Sequence, residues 1–345
     1  MVKILIDAMG GDNAPGEIIK GAVQALNDEK DVYLIFLGDE KTVKEELSKY
    51  KYDEARTEIV HCSENIGMDE VPTEAIKKKK DSTLVKGFTM LKKNADIDAM
   101  VTAGSSGATI VGATLLVGRI PGVIRPALCP MLPGKDGSHT LICDCGANAE
   151  CKPQMLAQFA VLSSVYAEKA LGVENPRVGL LNNGTEEHKG DALHQEAYKL
   201  ISKMGLNFVG NVEGRDICYG DIDIAVADGF SGNAALKGIE GCGKMANQEM
   251  RLAFTRNIWT KIGYALFLKK SIDIMKNRLD FHAYGGAMLL GLKKIVIKSH
   301  GSTKAKSMRA SVVKAANAVR TNTIAYMQER LSAIDWERMN GSEEN

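Results

Sequence analysis

The chain is short of charge imbalance. Its 44 Lys and Arg face 43 Asp and Glu across 345 residues, so there is no global basic field to hold nucleic acid. No apolar run approaches the ~20 residues needed to cross a bilayer. The opening MVKILID reads as a strand, without the long apolar stretch and cleavage site of a signal peptide. There is no C-x-x-C, and Cys143, Cys145 and Cys151 follow C-x-C-x5-C, which fits no usual zinc pattern. None of the six histidines stands in an H-E-x-x-H spacing. The seven scattered cysteines therefore read as reduced thiols of a cytosolic protein. Low-complexity stretches and long linkers are absent too.

What the chain does have is 45% apolar residues, enough for a sizeable core. VKILI (2–6), VYLIFL (32–37), AMVT (99–102), TLIC (140–143), RVGLL (177–181), IAVA (224–227) and KIVIK (294–298) read as strands. Most are nearly continuous apolar runs, as expected of strands covered on both faces. Helical patterns lie between them at 16–29, 82–93, 106–118, 152–170, 189–203, 232–252 and 303–333. This alternation predicts βαβ units: a doubly wound, mostly parallel α/β sheet of Rossmann-like architecture. A single catalytic unit over 1–335, with a tail at 336–345, is expected. KKKK (77–80) reads as a solvated loop and GSEEN as a frayed end.

The strand ends are unusual. AMGGDNAP, AGSSGA, CGANAECKP, NNGTEEHKG and GFSGN each follow a strand and mix glycine with small polar groups. Ligands of parallel sheets bind beyond the carboxyl ends of strands. Five such turns predict one cleft in which backbone N–H groups approach an anion closely. Other motifs fail in context. Gly238 to Lys244 has P-loop spacing, but Met245 stands where Ser or Thr would bind magnesium, and the segment follows a helical pattern. Gly241-x-Gly243-x-x-Ala246 mimics a dinucleotide fingerprint and fails for the same reason. Gly104-Ser-Ser-Gly107 is not a nucleophile elbow. Cys151 reads as a half-buried structural thiol and His188 as a loop histidine.

Taken in order, DAMGGDNAP (7–15), TAGSSGA (102–108), DCGANAECKPQMLAQFA (144–160), LLNNGTEEHKGD (180–191), NVEGRDI (211–217), DGFSGNAALK (228–237), YGGAMLLG (284–291) and HGST (300–303) resemble the phosphate acyltransferases of bacterial phospholipid synthesis. The resemblance runs from residue 1 to about 305. Thr102, Ser105, Ser106, Asn183 and Ala283 depart from the family pattern. The resemblance implies transfer of an acyl group from acyl carrier protein to inorganic phosphate, giving an acyl phosphate that serves glycerol-3-phosphate acylation, with a glycerol-3-phosphate acyltransferase as a further partner. It also implies a cytoplasmic homodimer at the membrane surface, and a fold similar to isocitrate-dehydrogenase-like and phosphotransacetylase-like enzymes.

That chemistry suits the residues. Phosphate is already partly dianionic near neutral pH, and a thiolate with a conjugate-acid pKa near ~8.5 leaves without a strong acid. The work left is positioning, worth ~7–11 kcal/mol, and stabilising a developing oxyanion, ~3–4 kcal/mol per well-aimed donor. Neither a metal nor an organic cofactor is expected. Lys189 is the candidate anchor for phosphate or oxyanion. Glu186 and Glu187 pair with it, position it or cap the next helix. Asn148, Asp228 and Asn233 are candidate hydrogen-bonding groups of the same cleft. Gly10, Gly11, Asp12, Gly104, Ser105, Ser106, Gly107, Asn183, Gly184 and Thr185 are candidates for substrate binding.

Residues 250–279 set Leu252, Phe254, Ile258, Trp259 and Ile262 among Arg251, Arg256, Lys261, Lys269 and Lys270. Such a basic amphipathic insertion, taken as 250–280, suits an anionic bilayer surface. It equally suits a dimer interface or a dock for acidic acyl carrier protein. An acyl-CoA phosphotransacetylase, an isocitrate-type dehydrogenase and a non-catalytic membrane scaffold are the rival readings.

Overall fold

The computed structural model describes residues 1–336, so the expected tail lies, from 337 onward, outside the described residues. The strands are β1 Val2–Asp7, β2 Val32–Gly38, β3 Thr57–His61, β4 Ala99–Thr102, β5 Ala127–Cys129, β6 Met131–Pro133, β7 His139–Cys143, β8 Val178–Leu181, β9 Phe208–Val212, β10 Ile224–Val226, β11 Ala287–Leu290 and β12 Ile295–Lys298. The helices are α1 Gly16–Asp28, α2 Glu40–Leu47, α3 Pro72–Lys78, α4 Thr83–Lys93, α5 Ser106–Gly112, α6 Pro153–Ala170, α7 Ala192–Ser202, α8 Gly229–Thr255, α9 Ile258–Gly263, α10 Lys269–Arg278, α11 Ala305–Arg320 and α12 Thr323–Ser332. A π-helical turn, Ala113–Val117, extends α5.

The strands fall into two sheets. One is seven-stranded in the order β3-β2-β1-β4-β12-β11-β5; the other is five-stranded in the order β6-β7-β10-β8-β9. β1, β2, β3, β4 and β12 run parallel, and β11 runs antiparallel between β12 and the edge strand β5. In the second sheet β7, β10, β8 and β9 run parallel, with β6 antiparallel. The chain builds β1 to β5, leaves to build the second sheet, and returns so that β12 slots beside β4. The continuous apolar runs of the sequence explain why the first sheet is wound on both faces. Along β1, Ile4 and Ile6 join the cluster of α1 and α11, while Leu5 joins that of α4 through Phe88 and Leu91. Successive side chains of a strand point to opposite faces, so both faces are packed.

Helix α6 joins the two sheets. Its buried residues run from Met155 to Ala170, on nearly all sides. A helix apolar all round belongs inside a core. One hydrophobic cluster runs from Ile4 and Ile6 through Phe159 and Leu162 to Val178 and Val226. The KKKK run differs from the loop expected of it: Lys77 and Lys78 end α3, and Lys79 pairs with Glu70 at 2.7 Å.

Candidate active site

The carboxyl ends of β1, β4 and β12 gather the first group of loops. β1 ends in Asp7, which is wholly buried and accepts from Thr102 Oγ1 at 2.6 Å and from Met9 N at 3.3 Å. Burial raises its pKa against those hydrogen bonds. Thr102 Oγ1 also accepts from Gly104 N at 2.9 Å. A side chain on Gly10 would place its Cβ 2.7 Å from Gly104 N, and Gly11 has a φ of +96° that favours glycine. These glycines let one loop lie against the next. Gly107 likewise stands against Pro72. Ser105 is buried and caps α5, accepting from Ala108 N at 3.4 Å, whereas Ser106 is exposed.

The loop after β12 ties into the same group. Asp12 N donates to Gly301 O at 2.8 Å, Asn13 Nδ2 donates to Ser302 O and Thr303 O at 3.1 Å, and Ser299 N donates to Thr102 O at 2.7 Å. Lys298, the last residue of β12, is 6% exposed and its ammonium donates to the Ser299 carbonyl. Burial pushes its pKa down to about 8, although Asp7 and Asp12 favour the charged form.

The second group sits at the ends of β7, β8 and β10. Asp144, buried just past β7, accepts from Leu128 N at 2.8 Å, Cys145 N at 2.7 Å, Ala147 N at 3.2 Å and Asn148 N at 2.7 Å. Burial nevertheless raises its pKa. Leu128 belongs to the first sheet, so this carboxylate fastens the two sheets together as it shapes the loop. Asn148 Nδ2 donates to Asp144 and to Pro126 O, at 3.0 and 2.8 Å. Its amide nitrogen is therefore committed to the loop. Cys151 is half-buried, and burial pushes its thiol up to about 12, far from a thiolate nucleophile at neutral pH.

After β8 the chain forms a protruding loop. Asn182 Nδ2 donates to Lys189 O at 3.2 Å and to Asn211 Oδ1 at 3.1 Å, while Asn211 Nδ2 donates to Glu186 O at 2.7 Å. Asn183, Thr185 and Glu187 are exposed at the tip, and the stem of Lys189 lies over Gly184. Glu186 Oε1 stands 3.8 Å from Lys189 Nζ. The acid that caps the following helix is neither Glu186 nor Glu187 but Asp191, which accepts from His194 N at 3.0 Å.

Asp228 caps α8, accepting from Phe230 N and Ser231 N at 2.9 Å. Its other oxygen lies 3.9 Å from His194 Nε2, and His194 Nδ1 is 2.6 Å from Asp191. One histidine thus links the caps of α7 and α8. Asn233, one turn into α8, is exposed and faces Gly146. The P-loop look-alike at 238–244 is interior helix of α8.

The candidate residues therefore fall into two sets, one on each sheet: 10–12 with 104–107, and 148 with 183–189, 228 and 233. Between the sheets runs a groove of about 1070 Å³, bordered by His300 and Ser302 of the first and by Lys135, Gly214 and Cys218 of the second. Sequence reasoning missed Lys298, Asp7, Asp144, Asn182, Asn211 and His194. Asp7 heads the DAMGGDNAP motif without an assigned role, Lys298 is visible only as the polar end of a strand run, and nothing local marks a lysine as buried.

Residues 2–326 match the model of a family described as fatty acid synthesis protein. The phosphate acyltransferase of Clostridium tetani (strain Massachusetts / E88) is 43% identical over 97% of this chain and 99% of its own length. That of Thermoanaerobacter pseudethanolicus (strain ATCC 33223 / 39E) is 44% identical over 96% and 98%. Among solved structures, the EutD phosphotransacetylase from Staphylococcus aureus superposes with a TM-score of 0.58 at 19% identity, over 92% of this chain and 94% of that one, which shows a shared fold. With the motifs in order along almost its whole length, the chain belongs to the phosphate acyltransferase family.

Proposed function

We propose that the protein transfers a fatty acyl group from the thioester of acyl carrier protein to inorganic phosphate, releasing acyl phosphate for phospholipid synthesis. A phosphate oxygen attacks the thioester carbonyl, the C–O bond forms, the C–S bond breaks, and the proton of hydrogen phosphate balances the thiol. The observation that carries this reading is the pair of lysines at the strand ends in a member of this family: Lys298 buried at the end of β12 and Lys189 on the loop after β8. Lys298 stands beside loops held close by Gly10, Gly11 and Gly104, where a partly dehydrated anion gains most from a fixed charge. Lys189, half-exposed on a loop held by Asn182 and Asn211, meets the carbonyl oxygen as charge develops. Asp12, Ser105 and Ser106 orient phosphate from the first sheet; Asn148, Asp228 and Asn233 frame the acyl carbonyl from the second.

The helical hairpin of α8 to α10 supports a site of action at an anionic membrane surface. Trp259 and Phe267 are 78% and 79% exposed, with Ile258 and Leu266 beside them. Arg256, Lys261, Lys269 and Lys270 flank this apolar tip. Exposed apolar area ringed by cations suits an interfacial anchor; a second copy of the chain is the competing occupant and fits the expected homodimer.

The deciding experiment mixes purified protein, palmitoyl carrier protein and phosphate, and follows free carrier thiol. Release that depends on phosphate, with acyl phosphate formed in equal amount, is expected. Release only from palmitoyl-CoA would replace the donor, and no release from either would overturn the reading.

A further inference from the structure

We infer that the groove between α8 and α10 is the binding site for a long apolar chain whose head is anionic, which, resting on the reading above, is the fatty acyl group of the substrate and product. Ala235, Ile239, Ala246 and Met250 line one wall from α8, and Met275 of α10 and Leu279, which caps it, line the other. The α8 residues recur at spacings of four and seven, so they share one helix face. From 235 to 250 the wall runs ~22 Å at about 1.5 Å per residue, the reach of a long acyl chain and far more than an acetyl group fills. The volume, about 1070 Å³, stands at the upper end of the ~300–1,000 Å³ usual for ligand clefts.

Position and charge say which end is which. His300 and Ser302 border the groove from the loop that receives Asp12, and Ala235 borders it from the second turn of α8, the helix that Asp228 caps. The groove therefore starts at the candidate site and leads away from it along α8. Both carboxylates that line it are held by lysines outside the lining: Glu240 by Lys237 at 2.9 Å and Asp280 by Lys306 at 2.7 Å. Lys135, Lys244 and Lys276 then leave the lining net cationic, complementary to a phosphate-bearing head or an acidic carrier. The apolar face contributes ~0.8 kcal/mol for each methylene it removes from water, so discrimination by chain length follows from the depth of the groove.

Two measurements test this. In the first, Ala246→Trp and Met275→Trp narrow the groove from opposite walls, and rates with palmitoyl and butyryl carrier protein are compared. The palmitoyl-to-butyryl ratio is expected to fall at least ~10-fold in both variants, about 1.4 kcal/mol; an unchanged ratio in both overturns the proposal. The second needs no turnover. Cys242 is exposed and lines the groove, so its modification by a maleimide is followed by mass spectrometry in the wild-type protein. Hexadecylphosphonate is expected to slow labelling at least ~5-fold and butylphosphonate to leave it alone, whereas equal labelling with both overturns the proposal. Protection of Cys242 in a protein that moves no acyl group to phosphate would sink the functional reading and keep the groove.

Discussion

Lys298 and Lys189 carry the same charge in opposite settings, and the setting decides what each can do. Lys298 is packed at the end of β12 with its pKa pushed down to about 8 by burial. An unfolded lysine keeps its proton to ~10.4. Between those values the unfolded chain binds more protons, so this group's contribution to stability grows as pH rises. Anion binding runs the other way, because it needs the ammonium. We therefore expect kcat/KM for phosphate, which reports the free enzyme, to fall above pH 8 in the wild-type protein. Lys298→Met should lower it ~100-fold at pH 7, scaled from the loss of one oxyanion donor, and abolish the fall above pH 8. Lys189→Ala should cost a similar factor in kcat and keep the pH limb. A wild-type profile flat from pH 7 to 9.5 would remove Lys298 from the site. The sequence made Lys189 legible because a motif surrounds it; Lys298 closes an apolar run, and only its burial distinguishes it.

At the scale of elements, the apolar periodicity located most of the expected helices within a few residues, but the one expected over 303–333 is two, α11 and α12, broken where Asn322 takes a left-handed φ of +51°. The starts were harder. α8 begins at Gly229 because Asp228 caps it, and α7 begins at Ala192 because Asp191, not the preceding acids, accepts the first amides. Strands β3, β5, β6, β9 and β11 escaped notice: all are three to five residues long, all but β11 lie at sheet edges, and β3 is half-exposed and mixed in polarity. The hairpin of α9 and α10 contrasts with all of these, for its large apolar residues face outward. Trp259→Glu should reduce co-sedimentation with anionic vesicles at least ~10-fold and leave the unfolding midpoint within experimental error, since an exposed indole contributes little to the core. Unchanged vesicle binding together with loss of a dimer in sedimentation would assign that tip to the subunit interface.

For the whole molecule the decisive group is Asp144, a single carboxylate that receives amides from β5 of the first sheet and from the loop after β7 of the second. Asp144→Ala strands the Leu128 and Asn148 amides, each costing ~1–3 kcal/mol when unpaired. We expect a loss of at least ~3 kcal/mol in urea unfolding, and a change under ~0.5 kcal/mol would show that the sheets are fastened elsewhere. The sequence by itself determined the α/β class, the winding of helices over both faces, the turns at the strand ends and the family, because apolar periodicity, glycine and motif order are all local. Only the tertiary structure decided that the strands make two sheets, that β12 returns beside β4, that the polar turns divide into two sets, and that a lysine ends in the core. Those depend on pairings between residues almost two hundred positions apart, where the partner's identity is set by packing and no local pattern encodes it.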